Sequence, residues 1–150
     1  PDVAAGRARA EAALADGRAA EVFGRMVSAL GGPDDFVDHA GRYLSQAPVM
    51  KACTAERSGH IVGMDARQVG IAVVALGGGR AHADDAIDPS VGLSEVTDVG
   101  VPIRAGRPLC MVHAASEADA DAAIALVRQA IRIGDAPVAE RPVVMERVVL

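Results

Sequence analysis

The residues able to do chemistry in this sequence are few, and most stand alone. His82 is the exception. It follows Gly77-Gly78-Gly79-Arg80 and precedes Asp84, Asp85 and Asp88, so one glycine-led run carries an imidazole, a guanidinium and three carboxylates. Glycine amides and a guanidinium suit an anion, and Gly78 and Gly79 make the start of the segment a hinge. A mobile solvated loop has the same composition. Gly77, Gly78, Gly79, Arg80 and His82 are therefore the candidate site residues. Asp84 and Asp85 are adjacent rather than facing, which does not give the opposed carboxylates of glycoside chemistry. His39 has Asp35 one helical turn before it and reads as part of a solvated face. His60 follows a turn and reads as an exposed strand residue, whereas His113 lies in an apolar run and reads as a satisfied core residue. Cys53 and Cys110 show neither CxxC nor His/Cys ligand spacing, so they read as reduced core residues and no metal site is expected. Lys51 is the only lysine. Met50-Lys51 is faintly like a biotin attachment pair, but Ala52 stands where a second Met belongs, and the hairpin tip falls at Ser58-Gly59.

The candidate loop must be held by what flanks it. Asp65 is a good N-cap, and Val69, Ala72, Val73 and Leu76 recur at i, i+3, i+4 and i+7, which predicts a helix over Ala66–Leu76. Ile71, Val74 and Ala75 fill much of the remaining circumference, so this helix is expected to be buried nearly all round. Gly77 then ends it without steric cost. A rival reading makes Ile71–Leu76 a parallel strand and Gly77–Arg80 a phosphate cradle. That reading needs a helix directly after the glycines, and AHADDAIDPSVG lacks helical spacing and contains Pro89. Before the helix, Val49–Ala55 and Gly59–Met64 read as a hairpin about Ser58-Gly59. After the loop, apolar positions from Val91 to Ile103 predict strands, and Ala105-Gly106 makes a turn before a strand over Pro108–Ala114. The phrase GVPIRAGRPLCMV has the shape of a turn from a lipoyl- or biotinyl-type barrel. Ser116 and Asp119 mark a helix start. Its face of Ala120, Ala123, Ile124, Val127, Ala130 and Ile131 carries it to about Ile133, where Gly134 and Pro137 stop it. A last strand is expected over Val143–Val149.

Three helices are predicted upstream. Residues 3–15 are Ala-rich; Arg18–Leu30 places Ala19, Val22, Phe23, Met26, Val27 and Leu30 on one face; Pro33–Leu44 carries Phe36, Val37, Ala40 and Leu44 inward, with Pro33 in its first turn. Ser45–Pro48 reads as a linker. The fold class is thus α+β, with a helical segment followed by a mixed or mainly antiparallel sheet curled towards a barrel and covered by two helices. A chain of 150 residues can bury roughly 70% of its unfolded surface. With no Trp and two Phe, its core must be built from small aliphatic side chains. The net charge of −5, without a Lys/Arg run, argues against a nucleic-acid surface. No apolar run approaches the roughly 20 residues of a membrane span. A cytoplasmic location is expected.

Two long phrases carry a specific likeness. GHIVGMDARQVGIAVVALGGGRAHADDAIDPSVGL, continued by DVGVPIRAGRPLCMVHA, closely resembles the C-terminal region of thymidine phosphorylases, within the pyrimidine nucleoside phosphorylase family. GRAAEVFGRMVSALGGPDDFV and AIRIGDAPVAERPVV resemble the same family in the same order, so the likeness covers nearly the whole chain. The resemblance implies that residues 1–46 complete a large α/β domain and its linker, and that residues 47–150 form the family's C-terminal α+β domain. It implies phosphorolysis of a pyrimidine 2-deoxynucleoside to free base and 2-deoxyribose 1-phosphate, with phosphate as co-substrate and no other cofactor. It also implies that no catalytic residue lies in this chain, since the family's Lys-His-Ser and Gly-Thr-x-Asp segments belong upstream of Pro1. It further implies that the chain supplies a cleft wall and, with Gly77, Gly78, Gly79, Arg80 and His82 in the segment Gly77–Val91, a substrate-lid loop. The implied partners are that upstream part, the nucleoside and phosphate, and the complete enzyme is expected to be a homodimer. Two alternatives stay open: a relative with broader pyrimidine-nucleoside or AMP specificity, and a freestanding binding or assembly module without catalysis.

Overall fold

Each of the first three helices begins and ends for a local reason. The computed structural model describes residues 2–139 together with 144, 146 and 148. Helix α1 (Val3–Ala15) is capped by the Asp2 carboxylate, which accepts from the Ala5 amide at 2.7 Å. Helix α2 (Arg18–Ala29) ends where Gly31 turns left-handed at φ +86°. The Gly31 and Gly32 amides then donate to the Ser28 and Val27 carbonyls, both at 2.9 Å. These are the two hydrogen bonds of a Schellman cap. Helix α3 (Phe36–Tyr43) starts later than expected: Pro33 stands in the preceding turn, with the Phe36 amide donating to its carbonyl at 3.3 Å. Its backbone kinks at His39.

The chain divides into two units, Pro1–Ser45 and Gln46–Leu150. Within the first, the expected inward faces are not covered. No residue of α1, α2 or α3 is buried, and Val22, Phe23, Met26, Leu30, Val37 and Leu44 are exposed. Three short helices cannot enclose one another's stripes, and Phe36 makes only a small aromatic seam with Phe23 and Tyr43, at 6.2 and 6.3 Å between ring centres.

The second unit is α+β, as the pattern predicts. Its order is β1 (Val49–Thr54), β2 (Gly59–Met64), α4 (Ala66–Ala75), β3 (Gly92–Ser94), β4 (Pro102–Ile103), β5 (Pro108–Ala114), α5 (Glu117–Ala130) and β6 (Ile131–Gly134). The strands form two antiparallel three-stranded sheets, β1-β5-β3 and β4-β2-β6, rather than one closed barrel. The hairpin expected from β1 and β2 does not exist, because the two strands lie in different sheets. The Ala55 amide donates to the Arg107 carbonyl at 2.9 Å, and the Gly106 amide donates to the Ala55 carbonyl at 2.8 Å, which holds the end of β1 beside β5. Ser58-Gly59 then carries the chain across to the other sheet. Gly59 is needed there for close approach: a Cβ on it would stand 2.5 Å from the Gly134 carbonyl oxygen. Likewise the turn at Ala105-Gly106 joins β4 and β5, which belong to different sheets.

Helix α5 buries Ala120, Ala123, Ile124, Val127 and Ala130, the face read from the sequence. It stops short of Ile133, because Ile131–Gly134 pairs with β2 as a strand. β-branched Ile131 and Ile133 suit the strand, and Ile131 continues the buried face into it. Helix α4 buries only one side. Ala72 and the C-capping Leu76 are buried and Val69 and Val73 half-buried, while Ile71 is exposed, so all-round burial is not found. The core joins Ile61, Cys53, Cys110, Val112, Val127 and the α5 alanines, small side chains as the composition requires. Lys51 ties β1 to α5 through Asp121 at 2.6 Å and Glu117 at 3.1 Å, which places it mid-strand and not at a tip. Of the expected C-terminal strand, Val143, Met145 and Val149 lie outside the described residues, and Val144 and Val148 are exposed and not in a strand. No helix among the described residues is long and apolar enough to cross a membrane.

Candidate functional site

The candidate loop leaves α4 through a second Schellman cap. Asp65 starts the helix by accepting from the Arg67 and Gln68 amides at 3.0 and 3.1 Å. At the other end Gly77 turns left-handed at φ +92°, and the Gly77 and Gly78 amides donate to the Val74 and Val73 carbonyls at 2.9 and 3.0 Å. The next glycines are packed, not open. A Cβ on Gly78 would stand 3.0 Å from Val73 Cγ1 and 3.2 Å from the Val91 carbonyl oxygen, and one on Gly79 would stand 2.8 Å from Val74 Cγ2. The approach of Gly78 to Val91 brings the two ends of the loop together, and the Asp88 amide closes it further by donating to the Gly77 carbonyl at 2.9 Å. Ends that meet around a short self-bonded segment are the mark of an Ω-loop.

Inside the loop Asp85 is the organiser. Its Oδ2 accepts from the Ala81 and His82 amides at 3.0 and 2.8 Å and lies 3.5 Å from His82 Nδ1, while its carbonyl accepts from Arg80 Nε at 3.2 Å. Asp88 accepts from the Ser90 hydroxyl at 2.6 Å and from the Ser90 amide at 2.8 Å. These bonds, the hydroxyl's first, hold the Asp88 carboxyl below its ordinary range. Arg80 is exposed, and the His82 side chain is 86% exposed. The structure therefore gathers all five sequence-predicted residues at one place: Gly77 by its left-handed turn, Gly78 and Gly79 by close packing, then a guanidinium and an imidazole facing solvent on a loop anchored at both ends. Such a loop can present cationic and hydrogen-bonding groups to an anion. It does not align a nucleophile with a base.

The remaining histidines settle otherwise. His39 Nδ1 lies 3.1 Å from Asp35 Oδ2 on α3. His60 is half-buried, with Nδ1 enclosed and without a hydrogen-bond partner among the described residues, so its reading as exposed is corrected. Its strand is the middle one of its sheet, flanked by β4 and β6, which the turn before it did not reveal. His113 Nε2 is paired with the Ser94 hydroxyl at 2.7 Å across β3 and β5. Sequence reading missed that contact, because nothing in the spacing of Ser94 and His113 announces which strands pair. It missed equally that Cys53 faces Cys110. Among the described residues no group of three His, Cys, Asp or Glu side chains could hold a metal ion.

The model of the pyrimidine nucleoside phosphorylase C-terminal domain matches residues 60–134, which take in β2, α4, the candidate loop, β3–β5, α5 and β6. A curated thymidine phosphorylase of Mesorhizobium japonicum is 46% identical over 143 residues, covering 95% of this chain and 33% of that protein. One of Agrobacterium fabrum is 45% identical over 130 residues, covering 87% of this chain and 30% of that protein. The chain spans about a third of the length of these relatives.

Proposed function

The chain belongs to the pyrimidine nucleoside phosphorylase C-terminal domain family, and from that premise we propose that it is the C-terminal part of a thymidine phosphorylase. The complete enzyme would convert thymidine and phosphate to thymine and 2-deoxyribose 1-phosphate in the cytoplasm, as a homodimer. Residues 1–46 would be the helical end of a larger α/β domain and its linker, and residues 47–150 the C-terminal domain. The observation that carries the reading is the 46% identity over 143 residues to a curated thymidine phosphorylase of which this chain spans 33%.

In that enzyme phosphate attacks the anomeric carbon as the glycosidic bond breaks, and charge grows on the departing base. The catalytic groups would come from upstream polypeptide. This chain would supply one wall of the cleft and, in Gly77–Val91, its lid. An anchored loop with exposed Arg80 and His82 can close as a unit, exclude water and bring a guanidinium towards an anionic substrate. The uncovered apolar faces of α2 and α3 are consistent with further polypeptide packing on the first unit.

Phosphate-dependent release of thymine from thymidine tests the reading. The chain alone should be inert, and mixing it with the upstream part of the phosphorylase should restore turnover. In the restored enzyme Arg80→Ala should lower kcat/KM by roughly tenfold without unfolding the domain. Turnover by the chain alone would refute the upstream location of the catalytic groups, and undiminished activity in both Arg80→Ala and His82→Ala would refute the lid.

A further inference from the structure

Cys53 and Cys110 stand directly opposite each other where β1 pairs with β5, and both are free and wholly buried. Facing residues of an antiparallel ladder put their side chains on the same side of the sheet, with Cα atoms about 4.5 or 5.5 Å apart depending on the type of pair. A disulfide accepts Cα separations of roughly 4.4 to 6.8 Å. Either type of pair therefore falls within that Cα range, and a small approach of the two strands brings the sulfurs to bonding distance.

We infer that Cys53 and Cys110 form a dithiol site that hydrogen peroxide converts to an intramolecular disulfide joining β1 to β5. The Cys53 sulfur, as thiolate, attacks the peroxide. The O–O bond breaks, a sulfenic acid forms, and the released hydroxide takes up a proton as water. The Cys110 sulfur then attacks the Cys53 sulfur, the S–S bond forms and the S–O bond breaks. The departing oxygen leaves as a second water with the Cys110 proton. Two thiols lose two electrons and the peroxide gains them.

The surroundings set the order of these steps. Cys53 Sγ donates to the Ile124 carbonyl oxygen on α5 at 3.9 Å. The facing Cys110 thiol, aided by the nearby Arg128 charge, draws the Cys53 thiol down, whereas the Cys53 sulfur and then burial push the Cys110 thiol up. Arg128 Nε donates to the carbonyl of Thr54, the residue after Cys53, at 3.2 Å, and this cation on the Cys53 side makes Cys53 the attacking sulfur and Cys110 the resolving one. Because α5 covers both, the rate is governed by local opening of the helix from the sheet. Once formed, the bond closes a covalent ring that contains β2, α4 and the loop Gly77–Val91.

The test is intact mass and peptide mapping of the purified native protein after peroxide treatment, with and without urea below its unfolding transition. The expected result is a mass lower by about 2 Da, loss of free thiol, one non-reduced peptide pair linked through Cys53 and Cys110, and full reversal by dithiothreitol. In Cys110→Ala the same treatment should add oxygen at Cys53 instead. The linked peptide from the unsubstituted protein stands whether or not that variant folds. Oxygen addition at either cysteine of the unsubstituted protein, chain-to-chain linkage, or two free thiols after treatment in urea would each overturn the proposal.

Discussion

Helices α2 and α4 end alike and live differently. Each stops on a left-handed glycine followed by a second glycine, Gly31-Gly32 in one and Gly77-Gly78 in the other, with the same pair of backbone bonds back into the last turn. Each carries an apolar stripe at helical spacing. Yet α2 buries no residue, while α4 closes Ala72 and Leu76 into a core that α5 and both sheets share. How a helix ends is decided within six residues. Whether its stripe is covered depends on partners elsewhere, so amphipathic spacing states a demand for a partner and not its presence.

The same kind of truncation should therefore have opposite weights in the two units. Ile61→Ala removes a fully buried side chain and should cost about 2–5 kcal/mol. Leu30→Ala, at a position 79% exposed, should change stability by less than about 0.5 kcal/mol. Urea unfolding followed by circular dichroism measures both. In a complex with upstream polypeptide, a cost of Leu30→Ala rising above about 1 kcal/mol would show that α2 has gained the partner its stripe demands.

Glycines sharpen the comparison at the next level. Gly59→Ala drives a methyl group against the Gly134 carbonyl oxygen and should cost about 2–3 kcal/mol, since backbone on both sides must shift. Gly31→Ala and Gly77→Ala meet no atom within 4 Å, so each should cost only the left-handed penalty of about 1–2 kcal/mol. Because the two caps are the same, the two intrinsic penalties should agree. A markedly larger loss at Gly77 would mean that strain there spreads into the loop that follows. Removing the N-cap should cost less again. Asp65→Ala frees two amides of α4 and should lower stability by about 1 kcal/mol. Asp2→Ala should only fray α1, which has no buried residue to lose, and its denaturation midpoint should not move.

What the sequence disclosed divides along the same line. The stripe of α5 was legible from Ala120 to Ala130 because a 3.6-residue period and a Ser116 cap are local facts. The glycine cap of α4 was legible for the same reason. Strand partners were not. Ser58-Gly59 looks like a hairpin turn, but Gly59 is called for by the backbone of Gly134, many residues later in the chain. Ile131 and Ile133 fit a helical face as well as a strand, and pairing with β2 decided between them. The candidate loop could be named from its glycines and Arg80. That Asp85 ties it together and Gly78 packs on Val91 required the fold.

The smallest expected effect isolates the first unit from the second. Tyr43 is the only tyrosine, and the chain has no tryptophan, so absorbance near the phenolate band reports this side chain alone. Its hydroxyl donates to Asp35 Oδ1 at 2.5 Å, a bond lost on ionisation, which raises the Tyr43 pKa. The same bond, ahead of the nearby His39, lowers that of Asp35. The signs place the two losses at opposite ends of the pH scale. A raised tyrosine pKa means stabilisation that is complete below the unfolded value near 10 and disappears as pH rises through the folded value. A lowered carboxyl pKa means stabilisation present above the unfolded value near 4 and lost as pH falls through the folded one. Spectrophotometric titration should give a phenol midpoint above the ordinary value, and Asp35→Asn should bring it back down. An ordinary midpoint in the unsubstituted chain would show that α3 does not hold Tyr43 against Asp35 in solution. The first unit would then be looser than its capped helices imply.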